Sequence, residues 1–469
     1  MIDYKMLING ELVAGAAGWV DVINPATEKP VAQCPLANED QLNFAVASAK
    51  AAFSAWAALP LEERAALIDR VADAMLAQKD DFARLLTLEQ GKPLDQAEFE
   101  ILGSVFTLKA FAQMRLEPRT IRDTPEQKVV EYRVPLGVVA AITPWNFPVV
   151  LLMNKVGPAL LAGNTMIAKP APTTPLTSLK FAELCKDILP AGVFNIICDN
   201  NDLGGKLTSH PEVAKVAFTG STATGKKVIQ SAADTVKRLT LELGGNDAAI
   251  VLDDVDTADV AQKVFDGAML NAGQICVAVK RAYVPQSIYD DFCAELARLA
   301  EAAIVDDGDK HGTQIGPVQN KQQYEKLKKI LADANSNGTV IAGGQPLERE
   351  GYFIRPTIVR DIADSSKVVC EEQFGPILPV LAYDNIDDVI RRVNDSDYGL
   401  AGSVWSGNVV RAMNVAAQID SGTVWVNQHL AIDPTIPFRG SKQSGLGGEL
   451  GVEGLHEYTQ ARVVNAALV

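Results

Sequence analysis

The chain has 469 residues, of which 48% are hydrophobic and 22% charged, and this composition predicts a globular protein of more than one domain. Its 43 basic and 58 acidic residues give a formal charge of −15, which argues against nucleic acids and membrane surfaces as partners. The N-terminus lacks the apolar run of a signal peptide, the six cysteines form no C-x-x-C pair and the four histidines lack metal-ligand spacing, so we expect a cytoplasmic protein without a metal site.

Three alanine-rich amphipathic stretches come first along the chain. Apolar residues recur with a helical period over residues 41–57, 62–77 and 95–114. Pro60 and the sequence Gly91-Lys92-Pro93 separate these stretches, since proline and glycine interrupt helices. We therefore predict a group of N-terminal helices.

From Val138 onward, short β-branched runs alternate with helical segments. The predicted strands are residues 138–142, 165–168, 193–197, 215–218 and 238–241, and intervening helices are predicted at 174–189 and 222–233. Such alternation implies an α/β fold with a doubly wound, mostly parallel sheet. Ligands of such sheets bind outside the carboxyl ends of the strands, so we look for the site there.

A second α/β region follows without a low-complexity linker, which favours two packed domains with a cleft between them. Its predicted helices are residues 258–271, 287–302 and 321–335, and its predicted strands are 282–284, 377–382 and 422–426. The tail, residues 461–469, is rich in β-formers. It is either a frayed end or a strand that adds to a neighbouring subunit.

A glycine-flanked turn lies between a predicted strand and a predicted helix. Residues 218–227 read FTGSTATGKK, which nearly matches a P-loop but has Lys227 where the magnesium-binding hydroxyl belongs. A nucleotide hydrolase is therefore disfavoured. The free N–H groups and dipole of a helix N-terminus still suit a phosphate, although an ordinary strand–helix turn has the same pattern.

Three short motifs contain side chains that could carry chemistry. In LELGGN (241–246), Glu242 ends an apolar strand, where it is either a buried base of raised pKa or a capping residue. In NAGQIC (271–276), Cys276 follows a flexible glycine on a loop, as a nucleophile would, although most cysteines are inert and buried. In PWNFP (144–148), Asn146 could hold an amide toward an oxyanion or stabilise a turn. We expect the remaining cysteines to be buried and inert: Cys34, Cys185, Cys198, Cys293 and Cys370.

Together with NPAT (24–27), KPA (169–171), EEQFGP (371–376) and PFRGSKQSG (437–445), these motifs resemble those of the NAD(P)-dependent aldehyde dehydrogenase superfamily. They occur in the family's order from residue 24 to near the C-terminus. Each motif alone is weak, and their order over nearly the whole chain makes the resemblance specific.

The resemblance implies roles for particular residues. Cys276 is similar to the nucleophile, Glu242 to the general base that activates the cysteine or the deacylating water, and Asn146 to a donor in the oxyanion hole. Lys155 and Glu449 are similar to residues that link the base, water and backbone. Lys169 and Glu372 are similar to ribose-binding residues, and Phe374 is expected to pack near the nicotinamide. The full set of positions expected to bind NAD or NADP is Ile142, Thr143, Pro144, Trp145, Lys169, Pro172, Gly220, Ser221, Gly225, Leu243, Glu372 and Phe374. The positions expected to line the substrate pocket are Phe147, Val150, Leu151, Asn154, Ile275, Val277, Leu430, Ile432, Phe438 and Arg439.

The activity that this resemblance implies is oxidation of an aldehyde to a carboxylate through a thioester on Cys276. The glutamate favours transfer of the thioester to water over transfer to coenzyme A, which remains an alternative. The mostly apolar pocket suggests an uncharged aliphatic or aromatic aldehyde. A carboxylate-bearing semialdehyde is the other alternative, although Asn154 stands where relatives with such substrates can carry a basic residue.

Two residues depart from the family pattern. Pro172 stands where NAD-preferring members commonly carry a glutamate that binds the adenosine ribose and repels a 2′-phosphate, so we predict relaxed specificity with NADP tolerated. Arg439 replaces a glycine near the expected mouth of the substrate tunnel. It either steers an anionic aldehyde or bonds to a neighbouring subunit.

The expected architecture has three parts. Residues 1–116 and 136–244 form a dinucleotide-binding domain, and residues 245–450 form a catalytic domain. A small β-arm from 117–135 and 451–469 is expected to serve oligomerisation, because the family makes homodimers and homotetramers.

Overall fold

The computed structural model describes residues 4–468, and its N-terminal part contains two β-hairpins followed by four helices. Asn38 caps the first helix by accepting from the N–H of Gln41, which explains why that helix begins at Glu39. The helices predicted at 41–57, 62–77 and 95–114 are confirmed. The helix Lys79–Gln90, which lies between the second and third of these, was not predicted. The elements are β1 (Met6–Ile8), β2 (Glu11–Val13), β3 (Trp19–Asn24), β4 (Lys29–Pro35), α1 (Glu39–Ala58), α2 (Leu61–Ala77), α3 (Lys79–Gln90) and α4 (Leu94–Gln113).

A pair of strands then leads into a parallel sheet. The pair is β5 (Arg119–Asp123) and β6 (Gln127–Pro135), and the elements that follow are β7 (Val138–Ile142), α5 (Val150–Leu161), β8 (Thr165–Lys169), α6 (Leu176–Lys186), β9 (Phe194–Ile196), α7 (Gly204–Ser209), β10 (Val213–Thr219), α8 (Thr222–Ala232) and β11 (Arg238–Glu242). All five predicted strands are present. Helix α5 was not predicted, because nearly all its side chains are buried and it has no polar face.

A second sheet forms the other α/β region. Its elements are β12 (Ala248–Val251), α9 (Thr257–Met269), β13 (Arg281–Pro285), α10 (Tyr289–Ala302), α11 (Lys321–Asn337), β14 (Thr339–Ala342), β15 (Thr357–Arg360), α12 (Lys367–Cys370), β16 (Ile377–Tyr383), α13 (Ile386–Asn394), β17 (Tyr398–Gly399), β18 (Ala401–Trp405), α14 (Val409–Ala416) and β19 (Thr423–Val426). The strand order is β14-β15-β16-β13-β12-β18-β19, and every neighbouring pair except β14 with β15 is parallel.

The C-terminal segment returns to the first sheet and to the β-arm. Its elements are β20 (Ser441–Lys442), β21 (Gly445–Leu446), α15 (Gly451–His456) and β22 (Thr459–Ala467). Strand β21 pairs with β11, so the first sheet has the order β21-β11-β10-β7-β8-β9 and is parallel except for β21. Strand β22 pairs with β6 along its whole length. The tail is therefore not frayed: it completes a three-stranded sheet within its own chain.

Two consequences matter for function. The doubly wound parallel sheet is confirmed, and its carboxyl ends bring Ile142, Lys169 and Glu242 to one edge. Among residues 4–468 no single helix is both long and apolar enough to cross a membrane; α1 and α2, bent at 120°, meet those criteria only as a pair.

Candidate active site

Cys276 lies on a loop that is held in an unusual backbone conformation. After α9, the short helical turn Leu270–Gly273 places Asn271 and Ala272 at φ of 51° and 53°, and Gly273 at 69°. A Cβ on Gly273 would come within 2.3 Å of the carbonyl oxygen of Gly375, so only glycine fits. This turn directs Cys276 into a cavity. The side chain stays partly exposed, whereas four of the other cysteines are buried.

Cys370 does not follow the expectation that the remaining cysteines are buried. Its side chain is exposed. The reason is local, because Cys370 ends the four-residue helix α12, whose buried residues are Val368 and Val369.

The electrostatic surroundings keep the Cys276 thiol protonated at neutral pH. Burial raises the pKa of Cys276 to about 12; Lys280 opposes the shift, and nearby carboxylates, led by Glu372, add to it. The Lys280 ammonium donates to the carbonyls of Ile275 and Cys276, each at 2.7 Å, and so holds this part of the loop. Nucleophilic attack therefore needs a partner that removes the thiol proton.

Asn146 is tied to the cysteine loop on both sides. Its Nδ2 donates to the carbonyl of Gln274 at 2.9 Å, and its own carbonyl accepts from Nδ2 of Asn271 at 3.0 Å. A carboxamide nitrogen has two protons, so one N–H remains to face a substrate oxygen beside Cys276. This arrangement suits an oxyanion hole.

A buried ion pair supports Asn146, and sequence reasoning missed it. Nζ of Lys92 lies 2.5 Å from a carboxylate oxygen of Glu100 and donates to the Asn146 carbonyl at 2.9 Å. It also lies 3.6 Å from the ring centroid of Phe147. The second Glu100 oxygen accepts from the N–H of Val149 at 2.9 Å. The pair thus holds both sides of the turn that carries Asn146.

A sequence signal for this pair existed but was weak. Gly91-Lys92-Pro93 was interpreted only as a helix break. Glu100 lies on the face of α4 that buries Ala97, Ile101 and Ser104, where a carboxylate requires a partner.

Glu242 ends β11 in a nonpolar environment. Burial, reinforced by the charge of Glu449, raises the pKa of the Glu242 carboxyl well above its usual range. Neither carboxyl oxygen has a hydrogen-bond partner within residues 4–468. Behind it, Lys155 donates to Glu449 and to Thr219, each at 2.6 Å. A carboxyl of raised pKa with free oxygens can exchange a proton with water or a thiol.

One cavity of about 190 Å³ joins the cysteine to the phosphate-type turn and brings together seven of the twelve expected cofactor-binding positions. Trp145 and Phe374 meet edge to face with ring centroids 5.3 Å apart, and Glu372 accepts from the N–H of Gly245 at 3.0 Å. The residues that line the cavity are Pro144, Trp145, Asn146, Leu151, Thr219, Gly220, Ser221, Leu243, Gly244, Cys276, Gln323, Lys326, Glu372 and Phe374. Gln323 and Lys326, from the first turns of α11, were not predicted.

The other expected cofactor residues lie outside this cavity. Ile142 and Lys169 end neighbouring strands, Thr143 donates to the Lys169 carbonyl, and Pro172 follows on a half-exposed turn. Gly225 is buried in α8, where a Cβ would come 2.6 Å from Leu243, so it permits close packing of this helix. Lys169 pairs with Asp199, which the sequence analysis did not single out. Strand ends, an open helix N-terminus capped by Ser221 and an aromatic pair fit an extended dinucleotide.

Comparison with known proteins decides the family. A model described as the aldehyde dehydrogenase family matches residues 13–464. The chain belongs to the aldehyde dehydrogenase family. It is an NAD(P)-dependent enzyme that oxidises aldehydes.

Individual relatives of this aldehyde dehydrogenase cover nearly all of it. The NADP(+) succinate-semialdehyde dehydrogenase GabD of Escherichia coli is 38% identical over 465 residues, covering 98% of this chain and 96% of that protein. The aldehyde dehydrogenase LUC3 of a Fusarium species is 39% identical over 445 residues, covering 94% of each chain. The structure of an aldehyde dehydrogenase from Bacillus cereus in complex with NAD+ has a TM-score of 0.98 at 36% identity, covering 100% of this chain and 97% of that one.

The expected substrate residues of this aldehyde dehydrogenase divide into three groups: an apolar cluster, residues of α5 and two exposed side chains. An apolar cluster beside Cys276 contains Ile275, Val277, Phe147, Leu430 and Phe438, together with Leu400 and Trp425. Leu151 lines the cysteine cavity, and α5 carries the half-buried Val150 and the buried Asn154.

Two expected pocket residues are exposed instead. Ile432 is 50% exposed, and Arg439 is also exposed, with its stem over Gly448. Within residues 4–468 the Arg439 guanidinium forms no ion pair. The structure does not bring these two side chains into the apolar cluster.

Proposed function

We propose that this enzyme oxidises an uncharged aliphatic or aromatic aldehyde to the carboxylic acid through a thioester on Cys276, which water then hydrolyses. The observation that carries the proposal is the cavity shared by the Cys276 thiol, Asn146 and the expected cofactor-binding residues Glu372 and Phe374. Such a cavity holds a nucleophile, an oxyanion donor and a cofactor within reach of one carbon atom.

In the first step, Cys276 Sγ adds to the aldehyde carbon and its proton passes to ionised Glu242. The aldehyde oxygen becomes an alkoxide, which the free N–H of the Asn146 amide and the backbone N–H of Cys276 stabilise. Lys92 and Gln274 hold Asn146 in place during this step, because they bond its carbonyl and its amide respectively. The product is a thiohemiacetal on the protein.

The thiohemiacetal then collapses to a thioester. As the C–O⁻ bond becomes C=O, the carbon would give up hydride; NAD(P)+, when bound, would supply the hydride acceptor. Trp145, Phe374 and Glu372 would hold the nicotinamide riboside end against the thiohemiacetal.

Hydrolysis completes the cycle. Glu242 first releases the thiol proton to solvent and so becomes ionised again. It then takes a proton from water, the resulting hydroxide adds to the thioester carbon, and the Cys276 thiolate leaves with its electron pair to give the carboxylic acid. The thiolate recovers a proton from Glu242, which restores the starting state. The Lys155–Glu449 pair lies behind Glu242, and the coulombic effects of the two partners on the Glu242 pKa oppose one another. We propose that this pair tunes the base.

The substrate class follows from the walls around the cysteine. Ile275, Val277, Leu430 and Phe438 present hydrocarbon, which favours an apolar aldehyde chain over a carboxylate. Arg439, the cation that the sequence analysis considered for an anionic aldehyde, lies at the exposed surface rather than in this cluster. A semialdehyde substrate would require Arg439 to reach inward.

A panel of hexanal, benzaldehyde and succinic semialdehyde, scored by kcat/KM from absorbance at 340 nm, tests the proposal. We expect the two uncharged aldehydes to be preferred by at least about tenfold, and formation of NADH or NADPH to need no coenzyme A. Cys276→Ala should abolish turnover, whereas Cys370→Ala, which removes an exposed thiol, should retain it. Two results would contradict the proposal. One is a preference for succinic semialdehyde that is lost in Arg439→Gly, and the other is strict dependence of the reaction on coenzyme A.

A further inference from the structure

A buried ion pair joins the ends of two neighbouring strands in the dinucleotide-binding sheet. Lys169 ends β8, and Asp199 follows β9, the parallel strand beside it at the edge of the sheet. Nζ of Lys169 lies 2.6 Å from Oδ1 of Asp199, and both side chains are almost completely buried. Lys169 is the residue that the family resemblance assigns to the ribose of the cofactor.

The two oxygens of Asp199 have different surroundings. Oδ2 accepts from the backbone N–H of Leu203 at 2.9 Å, which fixes the loop after the strand. Oδ1 touches the ammonium, but no donor within residues 4–468 is aligned on it for a hydrogen bond. Asp199 is therefore anchored to the loop through Oδ2, whereas Oδ1 faces the Lys169 ammonium and meets no other donor within residues 4–468.

NAD and NADP differ at the 2′ position of the adenosine ribose, which carries a hydroxyl in NAD and a phosphate in NADP. In doubly wound folds an acidic side chain near a strand end accepts from the 2′-hydroxyl of the adenosine ribose. A ribose hydroxyl can donate to Oδ1 of Asp199 and accept from Lys169. A 2′-phosphate carries about −1.5 to −2 charges and no donor, and it would lie against a carboxylate that already neutralises the lysine.

We propose that Asp199 is a specificity-determining residue that favours NAD over NADP, supplying the carboxylate that Pro172 cannot. The proposal rests on the proposed placement of the dinucleotide along this sheet. It narrows the relaxed specificity expected from Pro172 alone: NADP can still bind, but more weakly than NAD. Sequence reasoning missed Asp199 because its partner lies 30 positions earlier.

Isothermal titration with NADH and NADPH, without aldehyde, tests this proposal independently of turnover. The wild-type enzyme should bind NADH at least about tenfold more tightly than NADPH. Asp199→Asn removes the charge and keeps an oxygen for Leu203, so it should tighten NADPH binding by about tenfold and weaken NADH binding slightly. Asp202→Asn is the matched control: it removes an exposed carboxylate from the same loop and should leave the ratio unchanged.

Each outcome has a distinct meaning. Equal binding of NADH and NADPH by the wild-type enzyme would overturn the role of Asp199. Because this measurement uses no variant, it tests the proposal even if Asp199→Asn folds poorly. An unchanged ratio in Asp199→Asn, or an equal change in Asp202→Asn, would also overturn it. If neither cofactor binds, the proposed function fails as well.

Discussion

Replacing Lys92 by methionine should impair both stability and catalysis, for separate reasons. Lys92 is completely buried, and its ammonium is the cationic partner of Glu100. Removal of one partner of a buried ion pair leaves an uncompensated charge and costs about 3–5 kcal/mol of unfolding free energy. Guanidinium chloride unfolding should show this loss as a lower midpoint.

The catalytic effect arises through Asn146. A hydrogen bond from a charged donor is worth about 1.5–3 kcal/mol, and about 1.4 kcal/mol corresponds to a tenfold change in rate. Loss of the Lys92 bond to the Asn146 carbonyl should therefore lower kcat by about tenfold to a hundredfold. Direct removal of an oxyanion-hole donor, as in Asn146→Ala, costs more, about a hundredfold to a thousandfold.

A double-mutant cycle and a matched control distinguish this role from general destabilisation. If Lys92 acts through Asn146, the double variant should have the kcat of Asn146→Ala alone. Lys237→Met is the control, because Lys237 is also a mostly buried lysine that donates to two backbone carbonyls, those of His210 and Val213. Multiplicative rate losses in the cycle, or an equal kcat loss in Lys237→Met, would refute the reasoning.

Four further predictions concern the cysteine loop and the proposed base. Because burial raises the pKa of Cys276 to about 12, its alkylation rate by iodoacetamide should rise about tenfold per pH unit from pH 7 to 9; a plateau near pH 7 would contradict this. Because Glu242 accepts both the thiol proton and the water proton, Glu242→Gln should slow NADH formation in the first turnover as well as in the steady state; unchanged rates in both phases would remove Glu242 from both steps. The raised pKa of the Glu242 carboxyl also predicts wild-type activity that increases with pH, because the base form prevails only above that pKa. Gly273→Ala should lower Tm and activity because its Cβ would overlap Gly375, whereas Gly103→Ala, in open space on α4, should raise stability by roughly 0.5–1 kcal/mol.

The sequence predicted the strands of the sheets better than it predicted the buried charged side chains that hold the site residues in place. Strand–helix alternation between residues 138 and 242 located the five parallel strands of the first sheet within about two residues, since local period and β-branched content determine those elements. Helix α5 was not predicted, because a helix that is buried on all sides has no polar face and therefore shows no helical periodicity in its sequence. The short strands β12 and β18 were not predicted for a related reason. Both are buried on both faces, so their sequences show no alternation of polar and apolar residues.

The site residues show the same limit more sharply. Cys276, Asn146 and Glu372 lie in recognisable local motifs, and the structure brings them to one cavity. Lys92 and Asp199 have no such motif. Their roles depend on partners 54 and 30 positions away, and a single sequence does not show which lysine or aspartate will be buried.

Three buried ammonium–carboxylate pairs mark three different parts of this site. Lys92–Glu100 holds the proposed oxyanion donor Asn146, Lys155–Glu449 lies behind the proposed base Glu242, and Lys169–Asp199 lies at the expected ribose position. Burying both charges of such a pair costs several kcal/mol per ion, and apolar residues of similar volume often stabilise a protein as well or better. The pairs are therefore poor devices for stability. What each provides is a rigid charge at a fixed point, which a flexible or solvated side chain cannot supply, and catalysis by oriented charge requires that rigidity. We infer that the stability lost to desolvation in these three places is the energetic cost of positioning the reacting groups and the cofactor.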